Sequence, residues 1–291
     1  MPKVAETERL KKANVQRAFD QASSHYDQFT QLQRDIGDEL IDRLRLFKVQ
    51  PQRILDVGAG TGRLSGVMMD LYPKAQVTAL DLAPGMLKQA AAHDRWRRKL
   101  GRLCGDAECL PVADASVDLV FSNLAIQWCQ DLDAVFAEFK RVLRPGGMLL
   151  FSSFGPSTLH ELRESWAQVD NDVHVNRFVD LHEVGDAMLN AGLPDPVVDV
   201  DRLCLHYPDV YDLMRGLKGM GAHNVNQGRA HGLTPPRKLK QMLQAYEAYR
   251  EQERLPATFE VVYGHAWMAA QGEEVAAGSQ SFSLSRLLNG G

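Results

Sequence analysis

The chain has 291 residues, of which 45% are hydrophobic and 24% charged, so it is long enough for one large α/β domain with additions or for two domains. This composition is typical of a folded globular protein and argues against a disordered, collagen-like or membrane protein. With 33 basic and 37 acidic residues the net charge is −4, which provides no overall basic field for nucleic acid or anionic lipid.

The order of apolar patterns predicts helices first and then a parallel sheet. Apolar residues recur at steps of three and four over 4–21 and 29–47, which predicts two helices. From Arg53 the pattern changes to short apolar runs, which lie at 53–57, 76–80, 99–104, 117–121 and 148–153. A plausible helix follows every run except the last, as is typical of βαβ units in a doubly wound sheet.

The order of elements loosens after residue 154. The patterns there predict four helices and two strands, the helices at 157–169, 180–192, 209–221 and 236–253 and the strands at 197–207 and 258–268. The last segment, 271–291, is small and polar and is predicted to be a flexible tail.

The cysteines and the N-terminus predict a cytoplasmic protein with no metal site. The four cysteines include no Cys-x-x-Cys pair and match neither a zinc site nor a disulfide framework, so we expect reduced structural thiols. The N-terminal segment is charged and carries no apolar signal core, and no apolar run approaches the roughly 18 residues that span a bilayer.

Three glycines at alternating positions, Gly58, Gly60 and Gly62, lie between the first predicted strand and a helix. Such a loop lets a ligand approach the backbone closely. The dinucleotide fingerprint G-x-G-x-x-G does not fit, because the sixth position holds Arg63 in one register and Ser65 in the other. A Walker loop does not fit either, because no Gly-Lys-Ser/Thr follows.

Acidic residues lie at the ends of the first three predicted strands. Asp56 comes two residues before the first glycine, where a carboxylate would repel a pyrophosphate but suits an ammonium or sulfonium group. Asp81 is placed to bind a ribose diol, and Asp106 follows the third strand. Because ligands bind such sheets at the carboxyl ends of the strands, the pattern predicts a site for S-adenosylmethionine, which carries both cations. The alternative is structural, with a tight turn at the glycines and a helix cap at Asp81.

Five segments resemble the class I S-adenosylmethionine-dependent methyltransferases and occur in that family's order: DVGAGTG, ALDLAPGML, GDAECLP, SNLAIQW and RVLRPGG. The resemblance implies a Rossmann-like, doubly wound α/β fold with a seven-stranded, mostly parallel sheet whose last strand is antiparallel. It also implies that S-adenosylmethionine is the cofactor, leaving as S-adenosylhomocysteine, with no metal. The cofactor-binding residues that it implies are Asp56, Gly58, Ala59, Gly60, Gly62, Asp81, Leu82, Met86, Asp106, Ala107 and Asn123.

Three segments outside this core resemble the malonyl-acyl carrier protein O-methyltransferases of biotin synthesis: FDQASSHYDQFTQLQ, TLHELRESWAQVDNDVHVNRF and LKGMGAHNVNQGR. The resemblance implies an N-terminal helical lid at 1–47 and a methyltransferase domain at 48–270, with substrate-binding insertions at 155–180 and 207–256. It implies methyl transfer to the free carboxylate of a malonyl thioester, giving a malonyl methyl ester for pimeloyl synthesis. The implied partner is acyl carrier protein carrying the malonyl thioester, with malonyl-CoA as the alternative carrier. No nucleic acid and no membrane is expected as a partner.

Four residues are predicted to act on the substrate. A malonyl carboxylate is already ionised near pH 7, so the reaction needs no general base, and orientation in a dry pocket is the main catalytic contribution. A cation must hold this carboxylate, and the insertions offer Arg177, Lys218 and Arg229. Tyr26, between the N-terminal helices, is placed to close over the sulfonium or the malonyl group. Surface cations and a core aromatic are the structural alternatives.

Two other functions stay open on the sequence alone. One is a class I methyltransferase of a small acceptor such as a quinone or an organic acid, and the other is a protein that binds the cofactor without turnover. Two basic clusters, at 95–102 and 237–240, would suit an acidic carrier protein, although a solvated helix face is the preferred interpretation.

Overall fold

The structure, a computed structural model, describes residues 12–219 and 234–270. Its N-terminal part forms three helices, α1 (Lys12–Ala22), α2 (Tyr26–Phe29) and α3 (Gln31–Leu46). The predicted helix 4–21 is confirmed from Lys12 onward, and residues 4–11 lie outside the described part. The predicted helix 29–47 is confirmed as α3.

In the described part of the chain, seven strands form one sheet in the order β3-β2-β1-β4-β5-β7-β6. Their bounds are β1 (Arg53–Val57), β2 (Gln76–Asp81), β3 (Gly101–Cys104), β4 (Val117–Asn123), β5 (Leu143–Phe154), β6 (Val197–Tyr207) and β7 (Leu255–Trp267). Strands β1 to β5 pair in parallel, and β7 is antiparallel to both β5 and β6. The predicted doubly wound, mostly parallel sheet with an antiparallel last strand is therefore confirmed.

Helices cover both faces of the sheet. The remaining helices are α4 (Arg63–Leu71), α5 (Pro84–Ala90), α6 (Leu132–Val142), α7 (His160–Ala167), α8 (Leu181–Asn190), α9 (Val210–Gly219) and α10 (Pro236–Tyr246). Side chains alternate along β1, so that Ile54 packs in one apolar core with Ile36 of α3, while Leu55 packs in the other with Phe136 of α6. Burial on both faces explains why the strands of this sheet read as apolar runs. No helix in the described ranges is both long enough and apolar enough to cross a bilayer.

One predicted element is wrong. Residues 105–116 connect β3 to β4 without the α-helix expected after the third strand. Strand β3 lies at the edge of the sheet, and the chain must pass β2 and β1 before it reaches the start of β4. The connection consists of turns, with a local bridge between Asp106 and Cys109. A helix covers only about 1.5 Å per residue against roughly 3.3 Å for an extended chain, so a helix would shorten the reach of this short connection.

Strands β6 and β7 extend beyond the sheet at its carboxyl edge. The last pair between β5 and β7 joins Phe154 to Val261, whereas β6 and β7 continue together as far as the pair Tyr207 and Leu255. Helices α7 and α9 pack on this two-stranded extension, and α10 packs on α7. The segments predicted as insertions, as far as they are described, therefore lie around the edge at which ligands of such sheets bind.

Candidate active site

Two adjoining cavities open at the carboxyl ends of β1, β2 and β4. The first cavity extends over Asp81 and Asp106, and the second extends over Asp56 and Thr61. Five residues line both cavities: Tyr26, Gly58, Gly60, Asn123 and Leu124. The shared lining makes the two cavities one continuous site with a junction at the glycine loop.

The glycine loop requires glycine for both conformation and space. Gly58 and Gly62 have φ angles of 71° and 78°, which L-residues rarely adopt. A Cβ on Gly58 would lie 2.1 Å from the Cβ of Ala125, which follows β4. Backbone N–H groups of Gly58 and Ala59 donate to the Leu80 carbonyl at 2.8 and 3.0 Å. The loop is therefore held against β2 and β4 while its open side faces the cavities.

Asp81 ends β2 and faces the first cavity. One carboxylate oxygen accepts from the Gly60 N–H at 2.8 Å, and the other accepts from the Ala83 N–H at 2.8 Å. Burial raises the pKa of Asp81 to about 6, against the effect of these two backbone donors. Each oxygen keeps further acceptor capacity toward the cavity.

Asp56 lies beneath the glycine loop and is fully buried. Its carboxyl accepts a hydrogen bond from the Ser65 hydroxyl at 2.5 Å. Burial raises the pKa of Asp56 to about 7, and the nearby Asp81 carboxylate adds to the increase. In the ligand-free protein, Asp56 is therefore only partly ionised at neutral pH, so its attraction for a cation is weaker than the sequence suggests.

Helix α1 covers the first cavity. Gln16 donates to the Leu82 carbonyl at 3.0 Å, and Asp20 accepts from the Gly85 N–H at 2.7 Å. Lys12 forms ion pairs with Asp106 and, at 2.7 Å, with Glu108. The residues that line the cavity below α1 include Leu82, Met86, Asp106 and Ala107. The carboxylate of Asp106 is already paired with Lys12, a partner that the sequence analysis missed.

Tyr26 lies at the junction of the two cavities. Its ring carbon Cε1 lies 3.8 Å from the position that a Cβ on Gly60 would take. Burial raises the pKa of the Tyr26 phenol well above its usual range, with the carboxylates of Asp81 and Asp27 adding to the increase. The hydroxyl is therefore neutral and can only donate or accept hydrogen bonds. Asn123, on the opposite wall, accepts from the Ser152 hydroxyl at 2.8 Å.

The second cavity contains a cation that the sequence analysis missed, Arg34. The buried Nε of Arg34 has no hydrogen-bond partner among the described residues. Its Nη2 donates to the Asp27 carbonyl. The neighbouring Arg63 is occupied by Asp38 at 2.7 Å, and Thr61 donates to the Asp27 carboxylate at 2.9 Å. A buried N–H without a partner is costly, which makes Arg34 a candidate to bind an acceptor group at this cavity.

Comparisons with known proteins decide the family. Residues 55–151 match the methyltransferase domain family. The malonyl-[acyl-carrier protein] O-methyltransferase of Methylovorus sp. is 47% identical over 264 residues, which cover 89% of each chain. That of Laribacter hongkongensis is 46% identical over 267 residues, 89% of this chain and 90% of the relative. The chain belongs to the malonyl-[acyl-carrier protein] O-methyltransferase family.

Solved structures agree on the fold of this methyltransferase. The YcgJ protein from Bacillus subtilis superimposes with a TM-score of 0.57 at 16% identity and covers 79% of this chain and 97% of its own. A SAM-dependent methyltransferase from Thermotoga maritima gives a TM-score of 0.53 at 18% identity, covering 86% of this chain and 98% of its own. At such low identity these likenesses show the fold alone.

The three cations predicted to hold the substrate lie in different places. Arg177 is exposed and lines a third cavity with Trp166 and Asp170, and this cavity shares no lining residue with the first two. Lys218 is exposed in the last turn of α9, next to Gly219, which contacts Phe29 of α2. Arg229 lies outside the described residues. Of Lys218 and Arg177, the structure thus brings only the helix of Lys218 against the N-terminal helices.

The loop that carries Arg177 is held by a network of its own in this family member. The His174 ring stacks on Trp166 at 3.7 Å between ring centroids, and His174 forms a 2.8 Å pair with Asp170. Lys238 of α10 also pairs with Asp170, at 2.7 Å. Although burial acts in the opposite direction, hydrogen bonds from Lys238 and His174 lower the pKa of Asp170 to about 2. His174 therefore has a structural role here.

The basic cluster at 95–102 lies far from the site. It precedes and enters β3, so it belongs to the amino edge of the sheet, opposite the cavities. Arg95 pairs with Asp70 at 2.8 Å, Arg102 pairs with Asp94 at 3.0 Å, and Arg98 donates to backbone carbonyls. The interpretation as a solvated face is therefore favoured for this methyltransferase. The cluster at 237–240 begins α10, beside α7, on the carboxyl-edge side.

Proposed function

We propose that this protein transfers the methyl group of S-adenosylmethionine to the free carboxylate of a malonyl thioester on acyl carrier protein. The product is a malonyl methyl ester for pimeloyl, and hence biotin, synthesis. The observation that carries the proposal is the 47% identity to a malonyl-[acyl-carrier protein] O-methyltransferase. The alignment extends over 89% of this chain and so includes the segments around the common core. Malonyl-CoA is the alternative carrier of the same acyl group.

The two cavities fit the two halves of S-adenosylmethionine. In the first cavity, Asp81 has acceptor capacity for ribose hydroxyls, and Leu82 and Met86 offer apolar walls. In the second, the unpaired Nε–H of Arg34 suits the methionine carboxylate. Bound there, S-adenosylmethionine supplies an electrophilic methyl group on its sulfonium. The residues shared by both cavities, including Tyr26, would surround that methyl group.

We also propose that residues 1–47 act as a lid and that 155–180 and 207–256 form the substrate side. Polar contacts of three residues, Lys12, Gln16 and Asp20, hold α1 over the first cavity. The extension of β6 and β7 carries α7 and α9 beyond the carboxyl edge. Of the described cations, Lys218 has better support than Arg177 for holding the malonyl carboxylate, because α9 meets α2 beside Tyr26.

The residues of the site need only orient and desolvate the reactants. A malonyl carboxylate oxygen donates an electron pair to the methyl carbon, the carbon–sulfur bond breaks with its pair going to sulfur, and no proton moves. Opposite charges on carboxylate and sulfonium fade together, which a dry site favours over water. Tyr26 excludes water at the junction and offers a neutral hydroxyl, which can hydrogen-bond without acting as a base.

The test is a direct assay of the purified full chain. With S-adenosylmethionine and malonyl-acyl carrier protein, we expect a carrier product heavier by one methylene unit and an equal amount of S-adenosylhomocysteine, both followed by mass spectrometry. Malonyl-CoA in a parallel reaction distinguishes the two carriers. Methylation of a phenol or enol acceptor with no reaction of either malonyl thioester would contradict the proposal and favour a small-molecule methyltransferase.

The pKa of Asp81 predicts that cofactor affinity falls in mild acid. Ribose hydroxyls donate to the ionised carboxylate, so protonation of Asp81, whose pKa lies at about 6, opposes binding. A single group of this pKa lowers the affinity about fourfold at about pH 5.5 relative to about pH 7.5. Calorimetric titration with S-adenosylhomocysteine at the two pH values measures the ratio.

The matched variant for this prediction is Asp81→Asn. It should bind S-adenosylhomocysteine more weakly than the wild type at about pH 7.5, by roughly 1–3 kcal/mol for the impaired acceptor. The fourfold decrease in affinity that protonation of Asp81 causes in the wild type should also be missing from this variant. An unchanged affinity in the folded variant would remove Asp81 from the ribose site.

A further inference from the structure

Helix α2 links three parts of the molecule although it has only four residues, none of them fully buried. Tyr26 lies over the glycine loop at the junction of the two cavities. Asp27 accepts from the Thr61 hydroxyl of that loop at 2.9 Å. Phe29 lies against Gly219, the last residue of α9. A helix this short, without fully buried side chains, depends on such contacts for its position.

Gly219 leaves no space for any side chain beside Phe29. A Cβ at this position would lie 2.3 Å from Cγ of the Phe29 ring, and 2.5 and 2.7 Å from its two Cδ atoms. Rotation of the ring about χ2 cannot relieve the contact at Cγ, because that atom lies on the rotation axis; relief needs a change of χ1 or a movement of α2. Gly219 lies in an α-helix, where glycine costs about 1 kcal/mol relative to alanine. The close approach, and not the backbone conformation, therefore accounts for glycine here.

Helix α9 is itself firmly placed. Val210 and Leu213 on its first turns are buried in the main apolar core, and the helix packs on β6. The contact between Gly219 and Phe29 thus connects a fixed helix on the substrate side to a short helix on the cofactor side. A bulkier residue at 219 would have to displace Phe29 and with it α2, since α9 is anchored in the core and α2 has no fully buried residue.

We propose that Gly219 is a positioning residue: it lets α9 close onto Phe29 and so holds Tyr26 over the glycine loop. The consequence for methyl transfer rests on the proposed acceptor, whereas the consequence for cofactor affinity rests only on the proposed placement of S-adenosylmethionine in the two cavities. Displacement of α2 also disturbs the hydrogen bond between Asp27 and Thr61, so the glycine loop loses contacts when Gly219 is enlarged.

Helix α9 provides a matched pair of variants. Gly219→Ala introduces the clash with Phe29, whereas a Cβ at Gly216, one turn earlier, meets nothing within 4 Å. Both changes add one methyl group to the same helix, and the gain in helix propensity is no smaller at the interior Gly216, so a loss of affinity confined to Gly219→Ala reports the contact. We expect Gly219→Ala to weaken S-adenosylhomocysteine binding about tenfold, because small displacements of binding groups are costly. Gly216→Ala should bind within about twofold of the wild type.

Two double variants, in which Gly219→Ala is combined with Phe29→Ala or with Tyr26→Ala, show whether Gly219 acts through α2. In Phe29→Ala the ring is gone, so adding Gly219→Ala should cause no further loss of S-adenosylhomocysteine affinity. In Tyr26→Ala the side chain that Gly219 positions is gone, so Gly219→Ala should add only the smaller loss that comes through the hydrogen bond between Asp27 and Thr61. Affinity is measured by calorimetry on the full chain, and circular dichroism with thermal unfolding checks the fold of each variant.

The outcomes are decisive whether or not the acceptor proposal holds, because the measured ligand is S-adenosylhomocysteine. Wild-type affinity in Gly219→Ala would overturn the inference. So would a full loss that persists in the Phe29→Ala or Tyr26→Ala background. If Gly219→Ala does not fold, Phe29→Ala alone decides: a several-fold loss of affinity supports the role of the contact, and unchanged affinity overturns it.

Discussion

An acetyl thioester on acyl carrier protein should yield no methyl ester under conditions in which the malonyl thioester is fully converted. The acetyl group has no carboxylate, so no oxygen can donate the electron pair that forms the new bond. A succinyl thioester has the carboxylate but places it about one methylene farther from the thioester. Because the site works by orientation, a misfit of that size can lower the rate on the order of 100-fold.

The acyl series is measured by mass spectrometry of carrier protein, with equal concentrations of the three thioesters in separate reactions. As a control, acetyl-carrier protein is added to the malonyl reaction. Slower methylation of the malonyl form would show that the acetyl form occupies the site without reacting. Equal rates for malonyl and succinyl carriers would contradict a site shaped for malonate. Methylation of the acetyl form would contradict carboxylate attack altogether.

The parts of the fold that local patterns determine were predictable. Strands β1 and β6 have the predicted bounds, because each is a short apolar or alternating run between turn signals. The missing helix between β3 and β4 shows the limit. Its absence follows from the position of β3 at the sheet edge, and pairing order is not visible in a local window.

The same division holds for the site. The glycine loop and Asp81 follow strands directly, so their arrival at one edge of the sheet follows from the topology. Lys12 and Arg34 belong to helices that precede the sheet, and only tertiary packing brings them to the cavities. Arg177 is predicted to act on the substrate because it lies in an insertion expected to overhang the strand ends, and sequence patterns do not show that it lines a separate cavity.

Replacement of Arg34 by methionine should weaken S-adenosylhomocysteine binding about 100-fold. Charge-assisted hydrogen bonds contribute about 1.5–3 kcal/mol, and the buried Nε of Arg34 has no partner in the described ranges with which it would otherwise pair. Methionine preserves much of the side-chain volume, so packing of α3 should change little. Calorimetric titration of the purified chain measures the affinity.

The ligand 5′-methylthioadenosine separates the carboxylate contact from a general effect on the site, because it keeps the adenosine and sulfur but lacks the amino acid portion. If Arg34 binds the methionine carboxylate, wild type and Arg34→Met should bind this ligand alike. Arg45→Met is the matched control. Arg45 is exposed on the same helix and forms an ion pair with Asp42, so its replacement should leave both affinities unchanged. Equal losses for both ligands in Arg34→Met would show instead that Arg34 acts through its bond to the Asp27 carbonyl, by holding α2, and would leave the methionine carboxylate to another cation.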